Sequence, residues 1–407
     1  MNILLINHYA GSHLHGMEYR PYYIAKEWVK QGHNVTIIAA SYSHLRQTQP
    51  NVCEDFQEEI IDGIKYIWIQ TPIYKSSIAR IMNIVSFVWK LYVNAKKISR
   101  LCSPNVVIAS STYPLDNIPA CKIANYSDAK FIYEVHDLWP LSPMIIGGYS
   151  RYHPYIVLMQ WAENFAYRKC NKVVSLLWNS ERHMLEHGLE KGKFLCIPNG
   201  YNPDEWSEDK FDMVLPIEHY QKFEALKGKI IVGFAGGFAP SGALMTLMET
   251  AKLLKNNTNL HFVLVGKGPE ESKIRIFMDE HDLKNVTILP AVAKKMIPAI
   301  NSKFDISYMG GVHSILHQYG TSYNKMTDYM LSGKPIIHAI DEPNCLSERI
   351  GCGIQVEAEN PALISKAIIN LTRKDKEELK IMGMRGRLYA IDNLKWSILS
   401  RRFIDSI

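Results

Sequence analysis

The sequence predicts an α/β protein made of two doubly wound, Rossmann-like domains facing across a cleft. Three observations carry that expectation. The chain has 407 residues, more than one ordinary core accommodates and suited to two domains of about 200 residues each. Short β-branched runs alternate with longer helical patterns from the first residue, the signature of parallel strands joined by crossover helices. The pattern restarts after residue 200, again with a strand that runs into a glycine-bearing turn.

Bulk properties narrow the class. An apolar content of 47% with 21% charged residues is that of a globular protein with enough apolar material for two buried sheets. A net charge of +6 suits an anionic substrate or a membrane surface and is too weak to argue for nucleic acid. The seven cysteines are scattered without CxxC spacing, which argues against a disulfide framework or zinc site and for a reducing cytosol. Met1–Asn7 is apolar but has no basic flank or cleavage site, so it reads as a first strand rather than a signal peptide. No uninterrupted apolar stretch reaches about 18 residues, so no spanning helix is predicted.

In the first half the expected strands are Ile3–Asn7, Val35–Ala40, Tyr66–Gln70, Val106–Ser110, Phe131–Val135 and Val173–Leu177. They are apolar throughout rather than alternating, as strands covered on both faces are. In the second half they are Lys229–Ala235, His261–Val265, Val286–Leu289, Asp305–Met309, Pro335–Ala339 and Ile354–Val356. Residues 1–200 therefore form one domain, 201–228 a linker of weak periodicity, and 229–392 the second domain. The segment 393–407 is a final helix that crosses back to the first domain.

Sheets of this kind bind ligands at the carboxyl ends of their strands. Gly236 and Gly237 follow the opening strand of the second half, where glycine lets a backbone approach a phosphate and a helix N-terminus offers N–H groups. A tight turn without ligand is the alternative. Gly266-Lys267-Gly268 repeats the arrangement. The segment Tyr319–Pro335 is more specific. Asn or Ser before a helical run supplies an N-cap, so Ser322 and Asn324 present first-turn amides, and Lys325 adds a mobile cation. Asp328 lies one turn later, within reach of a sugar diol or, alternatively, of solvent.

In the first half, His136 and Asp137 directly follow an apolar strand, within Glu134–Pro140. They read as a proton-handling pair or as a backbone-satisfied His beside a turn-capping Asp. The loop His8–Arg20 follows the first strand and is positioned to line the cleft, with Gly11 and Gly16 giving it freedom to move and Arg20 closing it. Its three histidines match no zinc spacing, and no Asp-X-Asp occurs, so no metal is expected.

The segment Asn324–Pro335, with its Asn-Lys pair, acidic residue, Tyr-Met and Gly-Lys-Pro, resembles the signature of family 4 retaining glycosyltransferases, which have the GT-B fold. It is especially similar to the bacterial polysaccharide-assembly branch. Gly32–Ile37 and Ile197–Gly200 extend the resemblance over nearly the whole chain. The resemblance implies that Asp328 contacts the donor ribose. It also implies that an equivalent of His136 bonds the donor sugar and that Asp137 orients the acceptor hydroxyl. Two departures stand out. The family's first glutamate falls at Gly320 and is absent, and residues 236–242 contain no Arg or Lys for pyrophosphate. Lys325 with Lys294 or Lys295 supplies that charge instead, the alternative being that the paired lysines are solvated surface charges.

The implied reaction moves a hexosyl or N-acetylhexosaminyl group from a nucleotide diphosphate sugar, UDP favoured over GDP, to a polyprenyl-linked glycan in surface polysaccharide synthesis. No cofactor and no nucleic acid take part. A 2-epimerase of the same fold and a catalytically silent nucleotide-sugar-binding partner are the alternatives. The basic stretch Ile78–Leu101 keeps Ile81, Ile84, Val85, Val88, Tyr92, Ala95 and Ile98 at helical spacing, with Phe87 and Trp89 off that stripe. It reads as a crossover helix, or as a peripheral contact with the inner face of the cell membrane.

Overall fold

The computed structural model describes residues 1–16 and 19–407, so Met17 and Glu18 of the glycine loop lie outside the described residues. The chain divides into two compact units, one of Met1–Pro198 with Trp396–Ile407 and one of Asn199–Lys395.

In chain order the first unit contains β1 (Asn2–Ile6), α1 (Tyr19–Lys30), β2 (Asn34–Ala40), β3 (Gln57–Ile61) and β4 (Ile64–Ile69). It continues with α2 (Ser77–Val93), α3 (Ala95–Cys102), β5 (Val106–Ala109), α4 (Asn117–Ser127) and β6 (Lys130–Val135). Then come α5 (Leu141–Gly147), α6 (Pro154–Lys169), β7 (Lys172–Ser175), α7 (Glu181–Glu186) and β8 (Phe194–Cys196). The second unit carries α8 (Glu208–Phe211), α9 (Ile217–Ala225), β9 (Ile230–Gly237), α10 (Leu244–Leu253) and β10 (Leu260–Lys267). It goes on through α11 (Glu271–Glu280), β11 (Val286–Leu289), α12 (Ile297–Ser302), β12 (Ile306–Gly310) and α13 (Asn324–Ser332). β13 (Ile336–Ala339), α14 (Leu346–Arg349), β14 (Gly353–Val356), α15 (Pro361–Thr372) and α16 (Lys376–Asn393) complete it, and α17 (Trp396–Asp405) ends the chain.

The first sheet has the order β3-β4-β2-β1-β5-β6-β7-β8 and the second β11-β10-β9-β12-β13-β14. Every pairing is parallel except β3 with β4. All twelve runs named from the sequence fall on strands, because near-continuous apolar runs are what two-sided burial selects. The two strands the reading missed are exceptions to that rule. β3 (Gln57–Ile61) alternates at the sheet edge, and β8 (Phe194–Cys196) is three residues long.

Two expectations change. Residues 201–228 are not a bare linker: they hold α8 and α9, and Leu215, Phe223 and Leu226 are buried against β9 and β10. The residues Asn393 to Lys395 stay with the second unit, and only Trp396 onward joins the first. There α17 packs on α1: Trp28 is fully buried, stacks on Phe403 at 5.2 Å and donates its indole N–H to the Ser400 carbonyl at 3.0 Å.

The stripe read along Ile78–Leu101 also changes. The helix breaks at Asn94, and α2 buries Ile84, Phe87 and Leu91, while Ile81, Val85 and Tyr92 face solvent. A single stripe drawn through the break averages two helices whose inward faces differ. Among the described residues no helix is long and apolar enough to cross a membrane.

Candidate functional site

In the second unit β9 delivers Gly236 and Gly237 to the carboxyl end of the sheet, and the Ala235 N–H just before them donates to the Tyr329 hydroxyl at 3.2 Å. Gly236 has φ +147°, a conformation side chains rarely take, and a β-carbon there would lie 2.3 Å from Lys325 Cε. The missing side chain is what makes room for Lys325. The Lys325 ammonium sits 4.5 Å from the Phe234 ring centre, and burial pulls its pKa below the usual lysine value. Gly237 is exposed, with open space where a β-carbon would stand.

Asp328 is half-buried one turn along α13. Burial pushes its carboxyl up to about 7, against the pull of Lys294 and Lys325 and with the push of Glu205. Lys294 and Glu205 form an ion pair at 2.8 Å. Four of the expected residues, Gly236, Lys294, Lys325 and Asp328, thus converge, joined by Glu205, which sequence reasoning missed. Glu205 sits in a short turn of the supposed linker, where nothing in the pattern marked it.

The start of α13 differs from expectation. Its N-cap is Tyr323, and no side chain caps it, whereas Ser322 or Asn324 was expected to do so. Ser322 is occupied otherwise. Its hydroxyl accepts the Asn199 backbone N–H at 2.9 Å and its carbonyl accepts the Asn199 side-chain amide at 3.1 Å, so Ser322 holds Asn199 rather than capping α13. Asn324 is exposed as the first residue of the helix. The N-terminus of α13 thus has no side-chain cap, and Lys325 lies in its first turn.

In the first unit a buried network gathers at the carboxyl ends of β1, β5 and β6. Glu134 sits in a continuous apolar strand and is 1% exposed. Its carboxylate accepts Arg20 Nη2 at 2.9 Å and Nε at 3.2 Å, and the Ser110 hydroxyl at 2.5 Å. Burial alone would push Glu134 up, but Arg20, His136 and Ser110 outweigh it and hold the carboxyl well below the usual range. His136 Nε2 lies 3.0 Å from Ser110 Oγ and 3.3 Å from Glu134. Because the Ser110 proton goes to Glu134, its oxygen is the acceptor for a proton on Nε2, which leaves Nδ1 as the second working position of the ring. Asn7, just past the end of β1, supports Ser110 by donating to its carbonyl at 2.6 Å. Asp137 is exposed beside this network.

The two loop glycines read as giving freedom of movement are both packed. Gly11 is buried and its carbonyl accepts the Tyr66 hydroxyl at 2.9 Å. Gly16 is buried with φ +66°, and a β-carbon would meet Gln47 at 2.9 Å. Arg20 is not a loop residue: it lies in α1, 6% exposed, and also donates to the Ile197 and Pro198 carbonyls at 3.0 and 2.8 Å. A guanidinium beside a buried carboxylate is drawn inward by the charge it neutralises. The loop histidines each meet a hydroxyl: His8 the Tyr113 phenol at 2.6 Å, His13 that of Tyr22 at 3.1 Å, His15 that of Ser12 at 2.9 Å. The signal that could have found Glu134 is its position, a lone carboxylate in an apolar strand, which must have a partner.

Two doubly wound α/β units, with charged residues gathered at the carboxyl ends of the strands of each, define a two-domain α/β class whose ligands bind at strand ends. Comparison with known proteins specifies the class. A sequence profile described as Glycosyltransferase Family 4 matches residues 14–205, and one described as Glycosyl transferases group 1 matches residues 229–374. The chain is a glycosyltransferase of family 4 with the GT-B fold.

No curated protein matches it by sequence. Among solved structures it is similar to Anabaena HepE in complex with UDP and glucose, with 14% identity, TM-score 0.66, and coverage of 100% of this chain and 99% of that one. Sucrose-phosphate synthase from Thermosynechococcus elongatus gives 13% identity and TM-score 0.71, over 100% and 98% of the two chains. WaaG, a glycosyltransferase involved in lipopolysaccharide biosynthesis, gives 13% identity and TM-score 0.64, over 99% and 98%.

Proposed function

We propose that the enzyme transfers a hexosyl or N-acetylhexosaminyl group, with retention and without a metal, from a UDP-sugar to a polyprenyl-linked glycan of a surface polysaccharide. The observation that carries the reading is the convergence of Lys325, the uncapped α13 amides and Asp328 around Gly236. In transfer, the bond from the anomeric carbon to the diphosphate oxygen breaks and negative charge grows on the diphosphate. Helix N–H groups and an ammonium held beside them stabilise that charge as it develops. The acceptor hydroxyl attacks on the face the diphosphate leaves, and its proton passes to the departing phosphate oxygen. Asp328, as a carboxylate, accepts the ribose hydroxyls. His136, held at Nε2 by Ser110 and Glu134, offers Nδ1 to the donor sugar, and Asp137 orients the acceptor. A UDP donor is supported by HepE, whose structure holds UDP, and the polysaccharide role by WaaG.

A membrane contact through residues 78–101 is supported by the outer face of α2. Ile78, Met82, Val85, Trp89 and Val93 line it at helical spacing, with Met82 61% and Trp89 62% exposed. No Asp or Glu occurs from residue 63 to 115, while Lys96, Lys97 and Arg100 are exposed. An interfacial helix presents this combination of an apolar face and cations.

The test incubates purified protein with UDP- and GDP-sugars, with and without a polyprenyl-linked acceptor. Acceptor-dependent release of UDP is expected, and His136→Ala should slow it at least 100-fold while the fold is retained. Epimer formation without acceptor would replace the reading with a 2-epimerase. Tight binding without turnover would indicate a silent partner, for which Gly320 in place of the family's glutamate is the motivating feature.

A further inference from the structure

The sequence singled out one amphipathic stretch in the first unit, but the structure carries a second exposed apolar face. It runs along α5 and α6. Ile146 and Tyr152 are 79% and 73% exposed, and Val157, Leu158 and Trp161 form a stripe along α6 on the side away from the buried Ile156, Met159 and Ala162. Trp161 stacks on Phe165 at 6.0 Å, which extends the stripe by another turn.

This face is placed beside the first. α4 packs against both α2 and α6, and Ile84 of α2 shares one buried cluster with Met159 and Ala162 of α6. The inward sides of α2 and α6 rest on the same layer, so both outer faces point away from the sheet. Lys122 of α4 lies against α2, its ammonium 3.7 Å from the Tyr92 ring centre.

The charge pattern selects the occupant. From residue 138 to 180 the chain has a single carboxylate, Glu163, which is fully buried. Arg151, Arg168 and Lys169 along the same stretch are exposed. Arg151 lies against the Tyr152 ring, 4.7 Å from its centre. An apolar ridge with aromatics at its rim, cations around it and no exposed carboxylate between residues 138 and 180 suits a sheet of acidic headgroups over acyl chains. A protein partner would have no reason to find both helices stripped of exposed acid.

We infer that the α5–α6 ridge is a second membrane-docking surface, so that an anionic phospholipid bilayer sits across α2 and α6 together. The inference rests on the membrane reading of α2, and it makes α2 alone insufficient. Two interfacial helices in one layer fix the orientation of the unit on the bilayer as well as its affinity, which a single helix would leave free to roll.

The test uses the full chain and vesicles of phosphatidylethanolamine with phosphatidylglycerol, read by sedimentation at low salt. Ile146→Ser/Tyr152→Ser/Trp161→Ser and Met82→Ser/Val85→Ser/Trp89→Ser each replace exposed side chains, and unchanged circular dichroism checks that the fold survives. Each triple variant should bind at least tenfold more weakly. Brominated lipid should quench the wild-type tryptophan emission more than that of Trp161→Phe. Loss in the α2 variant with full binding in the α5–α6 variant would overturn the second surface and leave the α2 contact standing. Full binding in both would overturn both readings. A wild-type dimer that the α5–α6 variant abolishes, without vesicle binding, would assign the ridge to a second copy of the chain and overturn the inference.

Discussion

Replacing Glu134 by Gln keeps the shape of the side chain and removes its charge. The Arg20 guanidinium then stays buried without a counter-ion, although its bonds to the Ile197 and Pro198 carbonyls remain. Breaking a buried ion pair by removing one partner costs about 3–5 kcal/mol. The two carbonyl acceptors and the surviving amide oxygen place the expected loss near the lower end, about 3 kcal/mol at pH 7.

The pH dependence has a definite sign. Glu134 is held below its ordinary range in the folded state, so its contribution is complete above the unfolded carboxyl value near 4.5 and is lost as pH falls from there. The wild type should therefore lose stability more steeply than Glu134→Gln below about pH 4.5. The assay is urea unfolding of the full chain between pH 3 and 7, with hydrogen exchange of the β5 and β6 amides reporting on the first unit. Arg20→Met combined with Glu134→Gln should recover part of the loss, because it removes the stranded cation. Equal stability of Glu134→Gln and wild type at pH 7, or parallel acid profiles, would refute the coupling of the two charges.

Two further outcomes bear on the candidate donor site. Because burial raises Asp328 to about 7, UDP affinity measured by calorimetry should strengthen as pH rises from 6 to 8, and Asp328→Asn should flatten that dependence. The folded state also holds the Asp328 proton more tightly than the unfolded state does. Stability therefore falls as pH rises through that window, and the Asn variant should lose less melting temperature between pH 5 and 8. Gly236→Ala puts a β-carbon 2.3 Å from Lys325 Cε, a contact the flexible lysine relieves by moving away. The fold should survive while UDP binds about 10- to 100-fold more weakly, the equivalent of one charge-assisted hydrogen bond. Unchanged affinity would remove Lys325 from the phosphate site.

The sequence by itself determined the two-sheet α/β class and the core strands. A parallel strand buried on both faces must be apolar throughout, and that requirement shows without any neighbour. It also marked Glu134–Pro140 and Asn324–Pro335 as candidate segments, since they stand at strand and helix ends where such sheets place ligands.

Tertiary structure decided which side chains are spent on holding the fold. Arg20 passed as a loop residue and Glu134 as part of a motif, yet they are one buried ion pair 114 positions apart. Ser322 looked like a helix cap, but Asn199 occupies it. The outward face of α2 was misassigned because helical spacing records a period and not a direction. The inward phase depends on which neighbours the helix meets, and on the break at Asn94 that starts α3 in a new phase. Local pattern follows from local sterics and burial, whereas pairing of charges and the choice of inward face depend on contacts between residues far apart in the chain.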